Sequence, residues 1–186
     1  ALIAVAGLGS FSIFPIFGTN SVFSLSYILA PLAGIMFGPY SGAATVAIGE
    51  LLCTLLAPHT AVLGIFTFLI NTTNAFVMGY LSRKRWYVCF SVIGILWAAW
   101  LLTDTGRGAL VYSLIYLAGM VMTPIGGIIG TKLFVSQSPL KRILGIFIMA
   151  WPCYIAGSIV GNLFTIFIYD IPVNAWKSIL LILTPL

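Results

Sequence analysis

Side chains able to do chemistry are scarce in this chain, and their spacing limits what they can do. The 186 residues include three carboxylates, Glu50, Asp104 and Asp170, and one histidine, His59. The acids are far apart and none is paired with a second acid for general acid-base work. There is no HExxH, no GxSxG, no GxxxxGK[ST] phosphate loop and no aspartate cluster for metal-dependent phosphotransfer. Cys53, Cys89 and Cys153 fall in three different apolar runs, with no CxxC and no His/Cys spacing suited to a metal, and read as small packing residues. The expectation is a non-enzyme with no metal centre and no resident cofactor. Any nucleotide hydrolysis must come from a partner.

What remains is recognition chemistry. Glu50 stands alone in "GIMFGPYSGAATVAIGELL". Thr67, Asn71 and Asn74 in "FTFLINTTNAF" fall within an arc of about 60° on a helix, making one polar stripe. A longer stripe runs along "WPCYIAGSIVGNLFTIFIY", where Trp151, Tyr154, Ser158, Asn162, Thr165 and Tyr169 recur at helical spacing. These two faces combine amides, hydroxyls and rings, the groups that fix a small molecule in an otherwise apolar pocket. The alternative is hydrogen bonding between helices.

The solvent around these groups follows from composition. The chain is 61% hydrophobic and 6% charged, with a mean hydropathy of +1.17, against roughly 25% charged in an ordinary soluble domain. It reads as an integral membrane protein. Apolar runs cover 2–17, 22–38, 41–57, 61–82, 86–103, 109–134, 142–169 and 174–186. They are apolar on all sides, unlike the alternating ~10-residue segments of a membrane β-barrel. The predicted fold is therefore all-α, a polytopic transmembrane helical bundle of six to eight spans. Residues 1–186 form a single transmembrane domain with no room for a separate soluble one. The chain begins at Ala1 and stops within an apolar run, so both ends read as trimmed, and nothing resembles a cleavable signal peptide.

Six of the eight basic residues make two clusters, Arg83–Lys84–Arg85 and Lys132, Lys141 and Arg142. The positive-inside rule places both in the cytoplasm, and counting back from Arg83 puts the amino terminus inside as well. The net charge of +5 is thus a topology signal that also favours anionic lipid headgroups. No aromatic-basic interleaving accompanies it, so no nucleic-acid partner is expected.

Small residues recur at Gly34/Gly38, Gly126/Gly130 and Gly157/Gly161. In lipid, where apolar contact gives helices no preference for one another, such spacing allows close backbone approach. A carboxylate at mid-helix costs ~2.5–3.5 kcal/mol on insertion scales. Glu50 should accordingly carry a proton, face a cavity or ligand, or hydrogen-bond amides such as Asn71 and Asn74. His59, in "APHT", lies just past that helix, either as an exposed loop residue or at the rim of a pocket.

The stretch "SLSYILAPLAGIMFGPYSGAATVAIGELLCTLL", followed by an outer loop and "FLINTTNAFVMGYLSRKRW", resembles the substrate-binding S components of energy-coupling factor (ECF) vitamin transporters. The carrying features are an apolar helix ending in G-x-x-x-G-P, an acid near "GELL" and a helix ending at a basic cluster. The likeness is clearest over Leu25 to Trp86. It implies a cell-membrane protein that binds a vitamin or similar small solute from outside. It also implies association with a membrane coupling subunit and two cytoplasmic ABC-type ATPases, and toppling in the membrane to release the solute inside. Such proteins usually have six spans, so 86–134 reads as an added helical hairpin. The alanine-rich first-helix docking motif is represented only by Ala1, Ala4, Ala6 and Ser10. The competing expectation is a non-catalytic accessory subunit of a larger membrane complex. On the first reading Glu50, His59, Thr67, Asn71, Asn74, Trp151, Tyr154, Ser158 and Asn162 border one solute pocket in the outer half of the bundle.

Overall fold

The computed structural model describes residues 10–11, 23–24, 26–56 and 64–169. Apart from a two-residue antiparallel pairing of Ser10–Phe11 with Phe23–Ser24, the described chain is helical. Helix α1 (Ser26–Phe37) and α2 (Pro39–Leu56) are joined by Gly38 alone. Gly38 has φ +98°, a conformation that L side chains disfavour, and a Cβ there would lie 2.6 Å from the Arg83 guanidinium. Pro39 then opens α2 with its φ already set for a helix. A 3₁₀ turn, Gly64–Thr67, leads into α3 (Phe68–Leu81).

A tight reversal at 82–85, in which the N–H of Arg83 and of Arg85 both donate to the Tyr80 carbonyl, starts α4 (Trp86–Leu102). The short α5 (Asp104–Gly108) is capped by Thr103, whose hydroxyl accepts from the Gly106 N–H at 2.9 Å. Helix α6 (Leu110–Phe134) carries a π turn at Gly126–Gly130, and α7 spans Pro139–Tyr169. Six of the predicted runs thus match helices. The run at 174–186, and that at 2–17 except for Ser10–Phe11, lie outside the described residues.

Three of these helices are long and apolar enough to cross a membrane, at Pro39–Leu56, Leu110–Phe134 and Pro139–Ile168, and two shorter apolar helices, Tyr27–Phe37 and Trp86–Leu102, lie among them. Large apolar side chains such as Met36, Leu55, Ile95, Leu102, Phe147 and Phe167 point outward, while Glu50, Asn71, Asn74, Ser113 and Thr123 are inside. This arrangement suits lipid, in which an unpaired polar group costs several kcal/mol. The chain is a multi-pass, all-α membrane bundle.

Small residues set the helix contacts. A Cβ on Gly34 of α1 would overlap the Ala75 carbonyl of α3, one on Gly42 of α2 would lie 2.7 Å from the Ala33 carbonyl, and one on Gly79 of α3 would lie 2.6 Å from Pro39. Backbones therefore touch directly across α1, α2 and α3. Gly119 and Gly130 of α6 receive Ile155 and Met149 of α7, and Gly145 lies against the Gly130 carbonyl. Helix α4 joins through the Cys89 thiol, which donates to the Val77 carbonyl at 3.3 Å, and through Trp86, which covers Gly127. All three cysteines are buried. These contacts bring Arg83–Arg85 and the Lys132–Arg142 region to one end of the bundle, with the exposed Asp104–Arg107 pair (4.0 Å) at the other.

Candidate functional site

The polar residues that are uncomfortable in lipid meet at mid-depth. Glu50 is 11 residues from Pro39 and Asn71 is 10 from Leu81, so both lie about 15–17 Å in from the basic end at 1.5 Å rise per residue. Asn71 donates through Nδ2 to Glu50 Oε1 at 2.8 Å, and Asn74 Nδ2 reaches Asn71 Oδ1 at 3.4 Å. Glu50 is 5% exposed and the two asparagines 1% each. This chain of amides ends at Asn74 Oδ1, a buried acceptor with no hydrogen-bond partner among the described residues. Its carbonyl abuts Gly157 of α7, where a Cβ would overlap it. Thr67, the last residue of the 3₁₀ turn that leads into α3, is buried four residues before Asn71.

Helices α1 and α7 close the group. The Tyr154 hydroxyl of α7 donates to the Tyr27 carbonyl at 2.7 Å, and Tyr27 itself lies within electrostatic reach of both Glu50 and Tyr154. Sequence reasoning missed Tyr27. It is the second residue of α1, in a run read only as apolar, and the usable signal was that Tyr27 stands 11 residues before Gly38 and Glu50 stands 12 after it, which places the two near one depth.

The α7 stripe divides. Tyr154 turns toward α1, whereas Asn162 donates to the Tyr116 hydroxyl of α6, and Ser158 bonds the same hydroxyl. Tyr116 is buried and packs edge-on against Trp100, with ring centroids 5.3 Å apart. Trp100 Nε1 in turn donates to Ser113 at 3.2 Å, and Ser113 to the Gly106 carbonyl at 3.2 Å. Gly157, which meets Asn74, and Ser158 are neighbours on α7, so this second network starts beside the first on an adjacent face of the same helix and runs out to Gly106 of α5 at the far end. Trp151 is more than half exposed and lines an apolar cleft of about 690 Å³ with Ile28, Pro31, Leu32, Phe147 and Tyr154. His59 lies outside the described residues.

Chemically the buried group offers a carboxylate oxygen, amide donors and an unused amide acceptor in one low-dielectric place. It can orient a ligand that carries both donors and acceptors. It holds no nucleophile with an adjacent base, and among the described residues no group of His, Cys, Asp and Glu could bind a metal.

A family model described as "ECF-type riboflavin transporter, S component" matches residues 1–103, more than half of the chain. The matched segment includes Glu50, Asn71 and Asn74 and ends at the close of α4. No curated protein and no solved structure matches the chain.

Proposed function

Because this chain belongs to the ECF-type riboflavin transporter S component family, a family of membrane substrate-binding subunits for vitamin uptake, we propose that it captures riboflavin or a close flavin analogue at the buried group around Glu50. The observation that carries the reading is the Glu50–Asn71–Asn74 chain, which ends in a buried acceptor without a partner among the described residues. Such atoms are costly in a bundle unless a ligand or water satisfies them. A flavin suits the group because its imide edge alternates donors and acceptors and its side chain carries hydroxyls.

In this reading Thr67, Asn71, Asn74 and Glu50 read the polar edge, with Tyr27 beside them. Tyr154, Ser158 and Asn162 form the α7 wall, Trp151 flanks its apolar side, and His59 lies outside the described residues. Both basic clusters and the amino terminus face the cytoplasm in the plasma membrane, where a coupling subunit and two ABC-type ATPases would dock and energise release. The absence of a phosphate-loop motif fits a subunit that borrows its energy.

Mass spectrometry of small molecules carried through purification, followed by titration of the stripped protein with riboflavin monitored by flavin fluorescence quenching, tests the proposal. Saturable quenching at one flavin per chain is expected. Absence of quenching at micromolar flavin, with the protein folded, overturns it.

A further inference from the structure

The structure holds a second polar site at the opposite end from α5. A cleft of about 450 Å³ opens beside the Gly38 reversal, lined by Gly38, Tyr40, Ser41, Tyr80, Arg83 and Arg85. The sequence explains Arg83–Arg85 as a topology signal, and the flavin reading makes no use of this cleft.

Arg83 is held in place. Its Nη1 donates to the Gly79 carbonyl at 3.2 Å, and its guanidinium lies over Gly38 so closely that a Cβ there would be 2.6 Å from Nη2. The glycine that allows the chain reversal also makes room for the guanidinium. Tyr80 and Tyr40 share a hydroxyl-hydroxyl bond of 2.7 Å, which uses one of their two protons and leaves the other for an acceptor. Arg85 lies within electrostatic reach of the Tyr80 hydroxyl. The two guanidiniums, the Ser41 hydroxyl and the Tyr40 hydroxyl, which accepts from Tyr80 and keeps its own proton, can therefore donate into the cleft.

Among the described residues the cations of this cleft have no carboxylate partner. The one ion pair joins Arg107 to Asp104 at the other end, and Glu50 is engaged by Asn71. Two guanidiniums and phenol hydroxyls around one cleft match an acceptor-only anion with several oxygens, for which Arg provides fork-shaped, charge-assisted bonds. From this geometry we infer that the cleft between the α1–α2 reversal and the end of α3 binds a phosphate ester. Its position at the edge of the bundle admits two sources with the same chemistry, the phosphodiester headgroup of an anionic lipid or a soluble phosphomonoester.

Lys84 supplies the control. It carries the same charge in the same turn and is exposed, but it does not line the cleft. The purified full chain is examined by native mass spectrometry with phosphatidylglycerol against phosphatidylcholine, and by displacement of bound phosphatidylglycerol with glycerol 3-phosphate. Arg83→Gln and Arg85→Gln should each weaken phosphatidylglycerol binding about tenfold, Tyr40→Phe about threefold, and Lys84→Gln less than about twofold, since each charge-assisted bond is worth more than a diffuse surface charge. Circular dichroism checks folding, and Tyr40→Phe keeps the test decisive should Arg83→Gln misfold. Displacement by glycerol 3-phosphate identifies a soluble ester as the ligand, and binding without displacement identifies the headgroup. Equal losses in all three cation variants, or no preference for phosphatidylglycerol together with no glycerol 3-phosphate binding, overturn the inference.

Discussion

Asn71 reaches across from α3 to place its amide 2.8 Å from the Glu50 carboxylate of α2, and both side chains are buried. A single bond thus satisfies one oxygen of an intramembrane acid and fixes how Asn71 presents its own oxygen to Asn74. Removal of either partner acts on ligand contacts and on the bundle, and the two effects can be separated.

Glu50→Gln keeps an oxygen able to accept from Asn71 but replaces the acid by an amide. Riboflavin affinity should fall about tenfold, ~1.4 kcal/mol, while thermal stability changes little. Asn71→Leu removes the donor and leaves the Glu50 oxygen unpaired. It should lose binding and also ~1–3 kcal/mol of stability. Fluorescence titration and thermal unfolding with and without flavin check both, and unchanged affinity in the two variants would mean that the group serves only helix contact.

Gly34→Ala and Gly157→Ala should differ in kind. The new methyl of Gly34→Ala meets the Ala75 backbone carbonyl, which cannot swing aside, whereas that of Gly157→Ala meets the side-chain carbonyl of Asn74. Overpacking of this sort costs typically ~1–3 kcal/mol. Gly34→Ala is therefore expected to lower the melting temperature, and Gly157→Ala to weaken flavin binding more than it lowers stability. Paired melting and titration curves read the contrast.

Tyr116→Phe deletes the hydroxyl bonded by Asn162 and Ser158 but keeps the ring against Trp100. The expected cost is about 1 kcal/mol of stability, and the flavin affinity shows whether the α6 side of α7 belongs to the binding wall. A change above about threefold, roughly 0.7 kcal/mol, places it there, and an unchanged value confines the site to the Glu50 side.

Topology is checked by impermeant thiol labelling in intact cells. A cysteine at Asp104, which is exposed, should react from outside and one at Ser138 only after permeabilisation. Gly106 is a poor labelling position, since a Cβ there overlaps the Trp100 carbonyl. The reverse pattern of labelling would invert the proposed orientation.

Much of this was legible in the residues themselves. A turn at "GPYSG" was legible, but with the next run starting at 41, whereas the chain turns on Gly38 alone, whose positive φ reverses it in one residue before Pro39 opens α2; the arc shared by Thr67, Asn71 and Asn74 follows from helical spacing. No basic residue falls in the middle of any span, which left Glu50 a proton, a ligand or amides such as Asn71 and Asn74, and the structure pairs it with Asn71. The division of the α7 stripe was not legible. Periodicity says which residues share a face of about 80°, but Tyr154 and Asn162 lie two turns apart, where α1 and α6 respectively cross α7. Which neighbour crosses where depends on glycine contacts such as Gly119 with Ile155 and Gly157 with Asn74, and those pairings are set by tertiary fit. The π turn at Gly126–Gly130 was invisible for the same reason.

The direct backbone contacts of α1, α2 and α3 have a mechanical meaning. Gly38–Pro39 against Gly79, with the Arg83 guanidinium laid over Gly38, clamps the three helices at the basic end, whereas the mid-depth junction is held by side chains that can re-pair. Helix α2, at 18 residues, is about 27 Å long, so a tilt of about 10° about the clamped end would carry its far end about 5 Å.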